Sequence, residues 1–208
     1  MTMTGGAPRR TRSDGERTRE QILAAAAALA TVEGLDRLSI GGLAEHIGIS
    51  KSGLYAHFRS KEALQLATIA AAWATFEAEV VEPAFRAPPG RARALALLDE
   101  YFAHLERRVF PGGCFFAATI AELRMRPGSV RDRLDEFQRW WLGLLRSDVV
   151  LGQAAGEIDP DEDPDQLVFE LESHVVHAHL TFPTAGDVQV LQRARGAVRR
   201  RIGVPTGP

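Results

Sequence analysis

The chain has 208 residues, 45% of them hydrophobic and 25% charged, which is long and apolar enough for a sizeable core and excludes an intrinsically disordered chain. The formal net charge of −2 hides an asymmetry, because residues 1–61 carry nine Lys or Arg against six Asp or Glu, whereas residues 62–208 carry sixteen against twenty-one. A positively charged N-terminal region followed by an acidic remainder is typical of a protein whose N-terminal domain binds a polyanion such as DNA. Chance would also produce such a difference.

The first residues of the chain are predicted to form a tail. Residues 1–15 are rich in Gly, Thr and Arg and lack periodicity, which predicts a disordered basic segment. Its three central arginines, Arg9, Arg10 and Arg12, would either follow DNA phosphates into a minor groove or only aid solubility. The sequence leaves these two alternatives open.

Two helices are predicted next. The first runs from Arg17 to Val32, and Gly34 can end it. Ser39 then stands where an N-cap is needed for a second, short helix. The apolar residues of the second helix recur at i, i+3, i+4 and i+7, which is one helical face, and they are Ile40, Leu43, Ala44 and Ile47.

The following segment has the features of a tight turn and a DNA-recognition helix. Gly48 allows the left-handed backbone that ends a helix, and Ser50 can cap a third helix over 51–58. Leu54 and Phe58 lie at i and i+4 and can face inward, so the remaining side chains can meet phosphates and base edges. The predicted DNA-binding residues are Arg17, Ser39, Ser50, Lys51, Ser52, Gly53, Tyr55, His57 and Lys61.

The rest of the chain is predicted to be helical, with Pro and Gly at most helix ends. The predicted helices cover 61–82, 91–109, 114–125, 129–153, 164–182 and 185–202. Ser129, followed by Asp132 three residues later, has the pattern of a capping box. We therefore predict an all-α chain of about nine helices, with a three-helix, helix-turn-helix DNA-binding domain at 16–61 and a larger helical domain at 62–208.

These motifs resemble those of the TetR/AcrR family of bacterial transcriptional regulators. The similarity lies in the helix at 17–34, in LAEHIGIS (43–50), GLYAHF (53–58) and SKEAL (60–64), and more weakly in 112–132. The chain departs from the family at Gly41 and Gly42, where better helix formers are usual, in the order Ser52-Gly53, and at His57, where tyrosine is common. These departures bear on the operator sequence and not on the motif.

The resemblance implies a ligand-binding domain with a cavity between the fourth and eighth helices. Most aromatic residues of the body must serve ordinary core packing, but helical bundles also hold ligands between their helices. The predicted ligand-binding residues are Trp73, Phe76, Phe102, Phe115, Phe116, Thr119, Phe137, Trp140, Trp141, Phe169 and His177.

The resemblance also implies a homodimer that represses transcription and is released by a small, largely apolar effector. A dimer places two recognition helices in successive major grooves of double-stranded DNA, about 34–36 Å apart, on a palindromic operator. The last two helices would pair with those of the second copy through Leu167, Leu171, Val175, Leu180, Val190, Leu191 and Val198. Lys51 and Lys61 are expected to bind phosphates, and Ser52, Tyr55 and His57 to meet base edges or methyl groups.

An acidic stretch raises the question of calcium. From Asp159 to Glu170 the spacing fits a calcium-binding loop, but Pro164 stands where that loop needs glycine. A helix start explains the segment better, with Asp163 as N-cap, Pro164 in the first position and Gln166 reaching back to the cap. We therefore predict no calcium site.

A histidine group keeps a metal-dependent helical enzyme open as an alternative. His174, His177 and His179 follow Glu170 on one predicted helix. No Glu-x-x-His pair or second Cys or His pair accompanies them, which favours packing or cavity lining. We predict no metal, no cofactor and no catalytic residue. A non-specific DNA-architectural protein is the second alternative, and it would bind without sequence preference and with steep salt dependence.

The compartment is predicted from cysteine use and hydropathy. Cys114 is the single cysteine, which excludes an internal disulfide and fits a reducing compartment, and its place at a helix start leaves redox sensing open beside simple burial. The longest apolar run near the start, 22–30, is far shorter than the roughly 20 residues of a membrane span. The N-terminus lacks the apolar core of a signal peptide, so we expect a soluble, cytoplasmic protein without a membrane partner.

Overall fold

The computed structural model describes residues 12–123 and 125–203. In these ranges the chain forms nine helices and no strand, which confirms the all-α prediction. They are α1 (Arg12–Glu33), α2 (Ile40–His46), α3 (Lys51–His57), α4 (Lys61–Phe76), α5 (Arg91–Glu106), α6 (Phe115–Leu123), α7 (Ser129–Ala154), α8 (Pro164–Ala185) and α9 (Val188–Arg201). α4 is prolonged by a π-helical segment (Glu77–Val81) and one further turn (Glu82–Ala84).

The first helix is longer than predicted. α1 begins at Arg12, so the predicted tail at 1–15 is too long by four residues. Residues 1–11 and the side chain of Arg12 lie outside the described part of the structure, and the arginine arm stays a prediction.

The three N-terminal helices share a small apolar core. Leu35, Leu43 and Leu54 have no exposed surface, and Phe58 is 2% exposed. α1 also packs along α4, so the helix that leaves this unit is part of its support. This packing leaves one side of α3 free.

The end of α4 changes its hydrogen bonding because of a proline. Pro83 lacks the N–H that would donate to the carbonyl of Glu79 in an α-helix, so an interruption is expected there. The Arg107 guanidinium fills the gap by donating to the Glu79 carbonyl at 3.1 Å and pairing with its carboxylate at 3.0 Å. The helix predicted over 61–82 therefore ends in a π-helical segment and one further turn rather than in a break.

The larger domain packs α5 to α9 around an aromatic core. Phe76 at the end of α4 meets Trp141 of α7 edge to face, with ring centroids 5.2 Å apart. Phe116 of α6 stacks on Phe137 of α7. Gly186 ends α8 with a left-handed backbone (φ 66°), which lets α9 return along α8.

Two of the capping interactions predicted from the sequence differ from those observed, the cap of α7 and the Gln166 contact at the start of α8. Ser129 is the first residue of α7 rather than its cap, because Gly128 takes the capping position with φ 139°, a value that L side chains rarely adopt. Asp163 caps α8 as predicted. Gln166 does not reach back to it, since its side chain donates to Glu170 at 2.7 Å.

Candidate nucleic-acid interface and internal cavity

The turn between α2 and α3 is held by local hydrogen bonds. The Ser39 hydroxyl accepts from the Gly42 N–H at 3.1 Å, and the Ser50 hydroxyl accepts from the Gly53 N–H at 3.1 Å. The Ile49 N–H donates to the Ala44 carbonyl at 3.0 Å across the turn. Both serines therefore act as N-caps, and the two helices are fixed in a helix-turn-helix.

The outer face of α3 presents side chains that suit DNA. Lys51, Ser52 and Gly53 are exposed, and the Tyr55 side chain is 47% exposed. The Lys51 ammonium lies 6.0 Å from the centre of the Tyr55 ring, so a cation and an aromatic hydrogen-bonding group share one patch. His57 is half-buried, with its ring beside Phe58. The predicted base-reading residues thus lie on one accessible surface.

Two other predicted DNA-binding residues lie outside α3. Arg17 is exposed on α1. Lys61 is less free than the sequence indicated, because its ammonium pairs with the Asp36 carboxylate at 3.9 Å and donates to the Asp36 carbonyl. Lys61 therefore links the start of α4 to the loop between α1 and α2.

The loop between α1 and α2 is bound by the larger domain. The Glu122 carboxylate, at the C-terminal end of α6, accepts from the Leu35 N–H at 2.8 Å and from the Asp36 N–H at 3.0 Å. Gly34, with φ 97°, makes this approach possible, since a Cβ there would lie 2.5 Å from a Glu122 oxygen. One carboxylate of the body therefore holds two amides of the DNA-binding domain.

Further contacts join the same two domains. The Gly112 N–H donates to the Thr31 hydroxyl at 3.1 Å. Arg126 forms an ion pair with Asp36 at 2.5 Å. At the start of α7, the Ser129 hydroxyl hydrogen-bonds the Glu62 carboxylate in the first turn of α4, the helix that leaves the DNA-binding domain. The orientation of the helix-turn-helix is thus coupled to α6 and to the start of α7.

A cavity of about 360 Å³ lies between the helices of the larger domain and reaches the outer face of α8, where Val176 and Leu180 line it. Its walls come from the ends of α4 and α6 and from α5, α7 and α8, which agrees with the predicted location. Most of the lining is apolar or aromatic, as expected for a site that takes a small organic molecule. The lining residues are Phe76, Tyr101, Cys114, Phe116, Ala117, Ile120, Ala121, Phe137, Gln138, Trp141, Glu172, Val176, His179 and Leu180.

Some predicted ligand-binding residues line this cavity and others belong to the core around it. Those on the cavity are Phe76, Phe116, Phe137 and Trp141. Phe102, Phe115 and Thr119 are buried away from the lining. Thr119 was expected to offer a polar group, but its hydroxyl donates to the Phe115 carbonyl at 2.9 Å within α6, which is the usual bond of a helical threonine.

The remaining predicted residues lie on the outside of the bundle. Trp73 and Trp140 pack together with ring centroids 5.1 Å apart, and the Arg133 guanidinium covers Trp73 at 4.4 Å. Phe169 is 68% exposed and His177 is also exposed. Neither faces the cavity, because α8 turns this side toward solvent.

The polar groups of the cavity were missed as a set by sequence reasoning. Tyr101 lies on α5, Cys114 just before α6, and Glu172 and His179 on α8, so the group is assembled only in the folded chain. One signal was available. Glu172 follows Val168 at i+4 on the inward stripe of α8, where a carboxylate is unusual.

Burial changes the pKa of each of these groups. Loss of water raises the pKa of Glu172 to about 7, partly opposed by the hydrogen bond that its carboxylate accepts from Trp141 Nε1 at 3.1 Å. Burial also raises the pKa of Tyr101 and of Cys114, and lowers the pKa of His179. The phenol, the thiol and the imidazole are therefore neutral at pH 7, and Glu172 is the cavity group that is partly charged.

An open groove of about 780 Å³ runs between α7 and α8 on the outer surface. Its apolar residues on α8 recur at i, i+7 and i+11: Phe169, Val176 and Leu180 are 68%, 44% and 64% exposed. The charged side chains Arg146 and Asp165 form an ion pair at 2.8 Å on the same groove. This face of α8 is an apolar surface without a partner in the monomer.

The interface residues predicted for the last two helices are mostly elsewhere. Leu167, Leu171, Val175, Leu191 and Val198 are buried within the monomer, where α8 and α9 pack on the rest of the domain. Leu180 is exposed as expected, and Val190 is half-buried. The prediction was wrong for the five buried residues because α8 has apolar residues on two sides and the stronger stripe faces the core.

The histidines of α8 do not converge. His179 is buried and its Nδ1 accepts from the Cys114 N–H at 3.3 Å, whereas His177 faces solvent. In the described part of the chain no group of three or more His, Cys, Asp or Glu could hold a metal ion. Cys114 is buried and its thiol has a raised pKa, which disfavours the reactive thiolate.

No helix between residues 12 and 203, position 124 apart, is both long and apolar enough to cross a bilayer.

Two family models match the chain. One is described as "Bacterial regulatory proteins, tetR family" and matches residues 22–68. The other is described as "Tetracyclin repressor-like, C-terminal domain" and matches residues 90–198. Curated proteins gave no match.

Solved structures share this fold along nearly the whole chain. A TetR transcriptional regulator from Chloroflexus aurantiacus J-10-FL is 28% identical with a TM-score of 0.83, covering 91% of this chain and 96% of that chain. A TetR-family regulator from Cytophaga hutchinsonii is 22% identical with a TM-score of 0.78, covering 96% and 100%. AibR, solved with isovaleryl coenzyme A and operator DNA, is 23% identical with a TM-score of 0.71, covering 88% and 97%.

The matched segments correspond to the two parts that the structure separates. The first covers the helix-turn-helix and its supporting helices, and the second covers the domain that encloses the cavity. The chain belongs to the TetR family of bacterial transcriptional regulators, so it is a DNA-binding transcriptional regulator and not an enzyme.

Proposed function

We propose that the protein represses transcription by binding a palindromic operator as a homodimer, and that a small, largely apolar effector in the internal cavity releases it. The observation that carries this proposal is the double role of α6. Ile120 and Ala121 line the cavity, and Glu122, the next residue, holds the amides of Leu35 and Asp36 in the DNA-binding domain. A ligand that displaces α6 must therefore displace or release the loop before α2.

A modest displacement is enough for regulation. Each recognition helix covers one half-site, and both bind only when their separation matches the helical repeat of DNA. A coupling free energy of about 1–3 kcal/mol between the two sites changes affinity by roughly 5–150-fold. AibR supports the proposal by analogy, because a protein of the same fold was solved with both a ligand and operator DNA.

The second copy is proposed to cover the outer face of α8. Phe169, Val176 and Leu180 expose apolar surface that a monomer leaves in water. A two-fold interface brings the same patch from both subunits together, and the flanking Arg and Asp side chains suit such self-pairing. Because its target is chromosomal DNA, we place the protein in the cytoplasm.

The proposed DNA contacts divide into two classes. Lys51 and Lys61 would bind phosphates, which fixes position but carries no sequence information, and Arg17 is a further candidate contact on α1. Ser52, Tyr55 and His57 would meet base edges or thymine methyl groups in the major groove. Ser39 and Ser50 would hold the helix ends whose N–H groups approach the backbone.

The test of this function is a selection on random DNA, followed by titration of two variants. We expect the selection to recover a palindrome. Tyr55→Ala should weaken binding to it by about 30-fold or more, because each base contact is worth about 1–3 kcal/mol and the dimer loses two. Lys51→Ala should weaken selected and random DNA alike. A selection without any enriched sequence would contradict the proposal and favour a non-specific architectural role.

Removing the acceptor at Glu122 should loosen the link between the domains. Glu122→Gln replaces one carboxylate oxygen by an amide NH₂, which faces a backbone N–H and cannot accept from it. We expect a loss of about 1 kcal/mol, at the low end for charged hydrogen bonds because the side chain is exposed. Hydrogen exchange at Leu35 and Asp36 should be severalfold faster.

Glu136→Gln is the matched control for this variant. Glu136 is exposed and pairs only with Arg133 on the same helix, so its loss should leave exchange in the α1–α2 loop unchanged. Equal exchange rates at Leu35 and Asp36 in wild type and Glu122→Gln would show that this carboxylate does not hold the loop in solution.

A further inference from the structure

The cavity contains a carboxylate for which the protein provides no counter-charge. Glu172 accepts one hydrogen bond, from Trp141 Nε1 at 3.1 Å, and none of the described residues forms an ion pair with it. A buried carboxylate without a cation is destabilising, and proteins normally pair it or keep it protonated. Glu172 is half-buried by its surface area, and the raised pKa of its carboxyl group reflects this cost.

The other polar groups of the cavity cannot neutralise Glu172. Tyr101 and Cys114, from α5 and the turn before α6, are neutral weak donors, and the buried Tyr101 hydroxyl has no hydrogen-bond partner of good geometry. His179 of α8 is neutral because burial lowers its pKa. Arg139 and Arg146 line the outer groove that Glu172 also borders, but neither lines the cavity.

The apolar walls near Glu172 are aromatic rings. Phe76, Phe116, Phe137 and Trp141 all line the cavity, and Phe76 meets Trp141 nearly perpendicularly (88°), whereas Phe116 stacks on Phe137. Faces of aromatic rings attract cations, most strongly where water is excluded. A carboxylate and aromatic faces around one small space are complementary to an organic cation.

We propose that the effector is a small amine, protonated at neutral pH, whose ammonium group meets the Glu172 carboxylate while its apolar body packs against the surrounding aromatic rings. This inference rests on the proposed role of the cavity as the effector site and specifies the class of molecule. The Tyr101 hydroxyl, which lies beside the Cys114 thiol and also lines the cavity, can accept a hydrogen bond from the same ammonium group.

The probes are two series with matched carbon skeletons. 2-Phenylethylamine is compared with 2-phenylethanol and phenylacetate, and hexylamine with hexanol and hexanoate, by calorimetry and by release of the selected operator. We expect the amine to bind at least about tenfold more tightly than the alcohol in one series or both, the range for a hydrogen bond to a charged group. The carboxylates should bind least, because they place like charge beside Glu172.

Glu172→Gln is the decisive variant. The amide oxygen can still accept from Trp141, so folding should be retained, while the charge is lost. The preference for amine over alcohol should fall by about tenfold or more, and Glu136→Gln on the exposed face of α7 should leave it unchanged. Thermal unfolding of both variants shows whether each is folded.

The pH dependence gives a second readout. Because the pKa of Glu172 is about 7, the amine must displace a proton below that pH. Its affinity should rise with pH by up to about tenfold per unit below pH 7 and level off above, and the alcohol should show no such slope. In Glu172→Gln the slope should vanish.

The outcomes separate this inference from the proposed function. If the alcohols or acids bind as tightly as the amines, or if no amine binds at millimolar concentration, the amine class is wrong. Operator release by one of those other probes would leave the regulatory proposal standing. If the protein selects no operator at all, the regulatory proposal fails first, whatever the cavity binds.

Discussion

Replacing Phe169 by aspartate is expected to convert the proposed dimer into monomers and to abolish operator binding at concentrations where the wild type is saturated. Phe169 is 68% exposed in the monomer and lies on the proposed contact face of α8. A two-fold interface contains it twice, and loss of a buried aromatic anchor costs about 2–4 kcal/mol each time. The dimer dissociation constant should rise by roughly a thousandfold or more.

Sedimentation velocity and operator titration measure the two effects together. Met125→Asp is the matched control, because Met125 is 84% exposed but lies after α6, away from the α8 face. It should stay dimeric and bind the operator like the wild type. A Phe169→Asp protein that remains dimeric at micromolar concentration would show that another surface joins the subunits.

The difference between the two interface predictions has a physical cause. From the sequence, α8 carries apolar residues around most of its circumference, so periodicity alone could not tell which side meets its own domain. Leu171 and Val175 are predicted to meet the partner, but they are buried in the monomer, where α5, α7 and α9 pack on α8. Only the positions left uncovered after folding, such as Phe169 and Val176, can serve a second copy.

The helix-turn-helix was predictable because its determinants are local. Ser39, Gly48 and Ser50 fix the helix ends through bonds or backbone angles within a few residues, and each acts in the structure as predicted. The inward positions of Leu54 and Phe58 follow from a spacing of four. What stays a prediction is the contact of each outward side chain with DNA.

The cavity was predictable in place but only partly in composition. Aromatic residues are easy to find in the sequence, but the core and the cavity lining use the same residue types. The sequence therefore could not show that Phe116 lines the cavity whereas its neighbour Phe115 packs in the core. The polar part of the lining forms only because the packing of the helices brings Tyr101, Glu172 and His179 to the same cavity. The hydrogen bond between the Glu122 carboxylate and the Leu35 N–H joins residues that are 87 positions apart, and no periodic pattern in the sequence predicts such a contact.

Replacing Gly112 by alanine is expected to separate the DNA-binding domain from its support at the turn before α6. A Cβ at this position would lie 1.9 Å from the Thr31 carbonyl oxygen and 2.5 Å from its carbon. Both are backbone atoms, so no side-chain rotation can relieve the clash. The turn must retreat, and the hydrogen bond from the Gly112 N–H to the Thr31 hydroxyl is lost with it.

Overpacking of this kind costs about 1–3 kcal/mol, and the lost hydrogen bond adds about 1 kcal/mol. For a chain of this size, a total near 3 kcal/mol lowers the Tm by roughly 6–12 °C, measured by calorimetry. Gly15→Ala in α1 is the control, because nothing lies within 4 Å of its Cβ, and it should be neutral or slightly stabilising. Thr31→Ala removes the hydrogen bond without the clash and should cost only the smaller part. If the Tm of Gly112→Ala is no lower than that of Thr31→Ala, the turn at Gly112 and the end of α1 are not in close contact. The position of α1 against the larger domain would then depend on its other contacts, which include the Glu122 hydrogen bonds and the packing on α4.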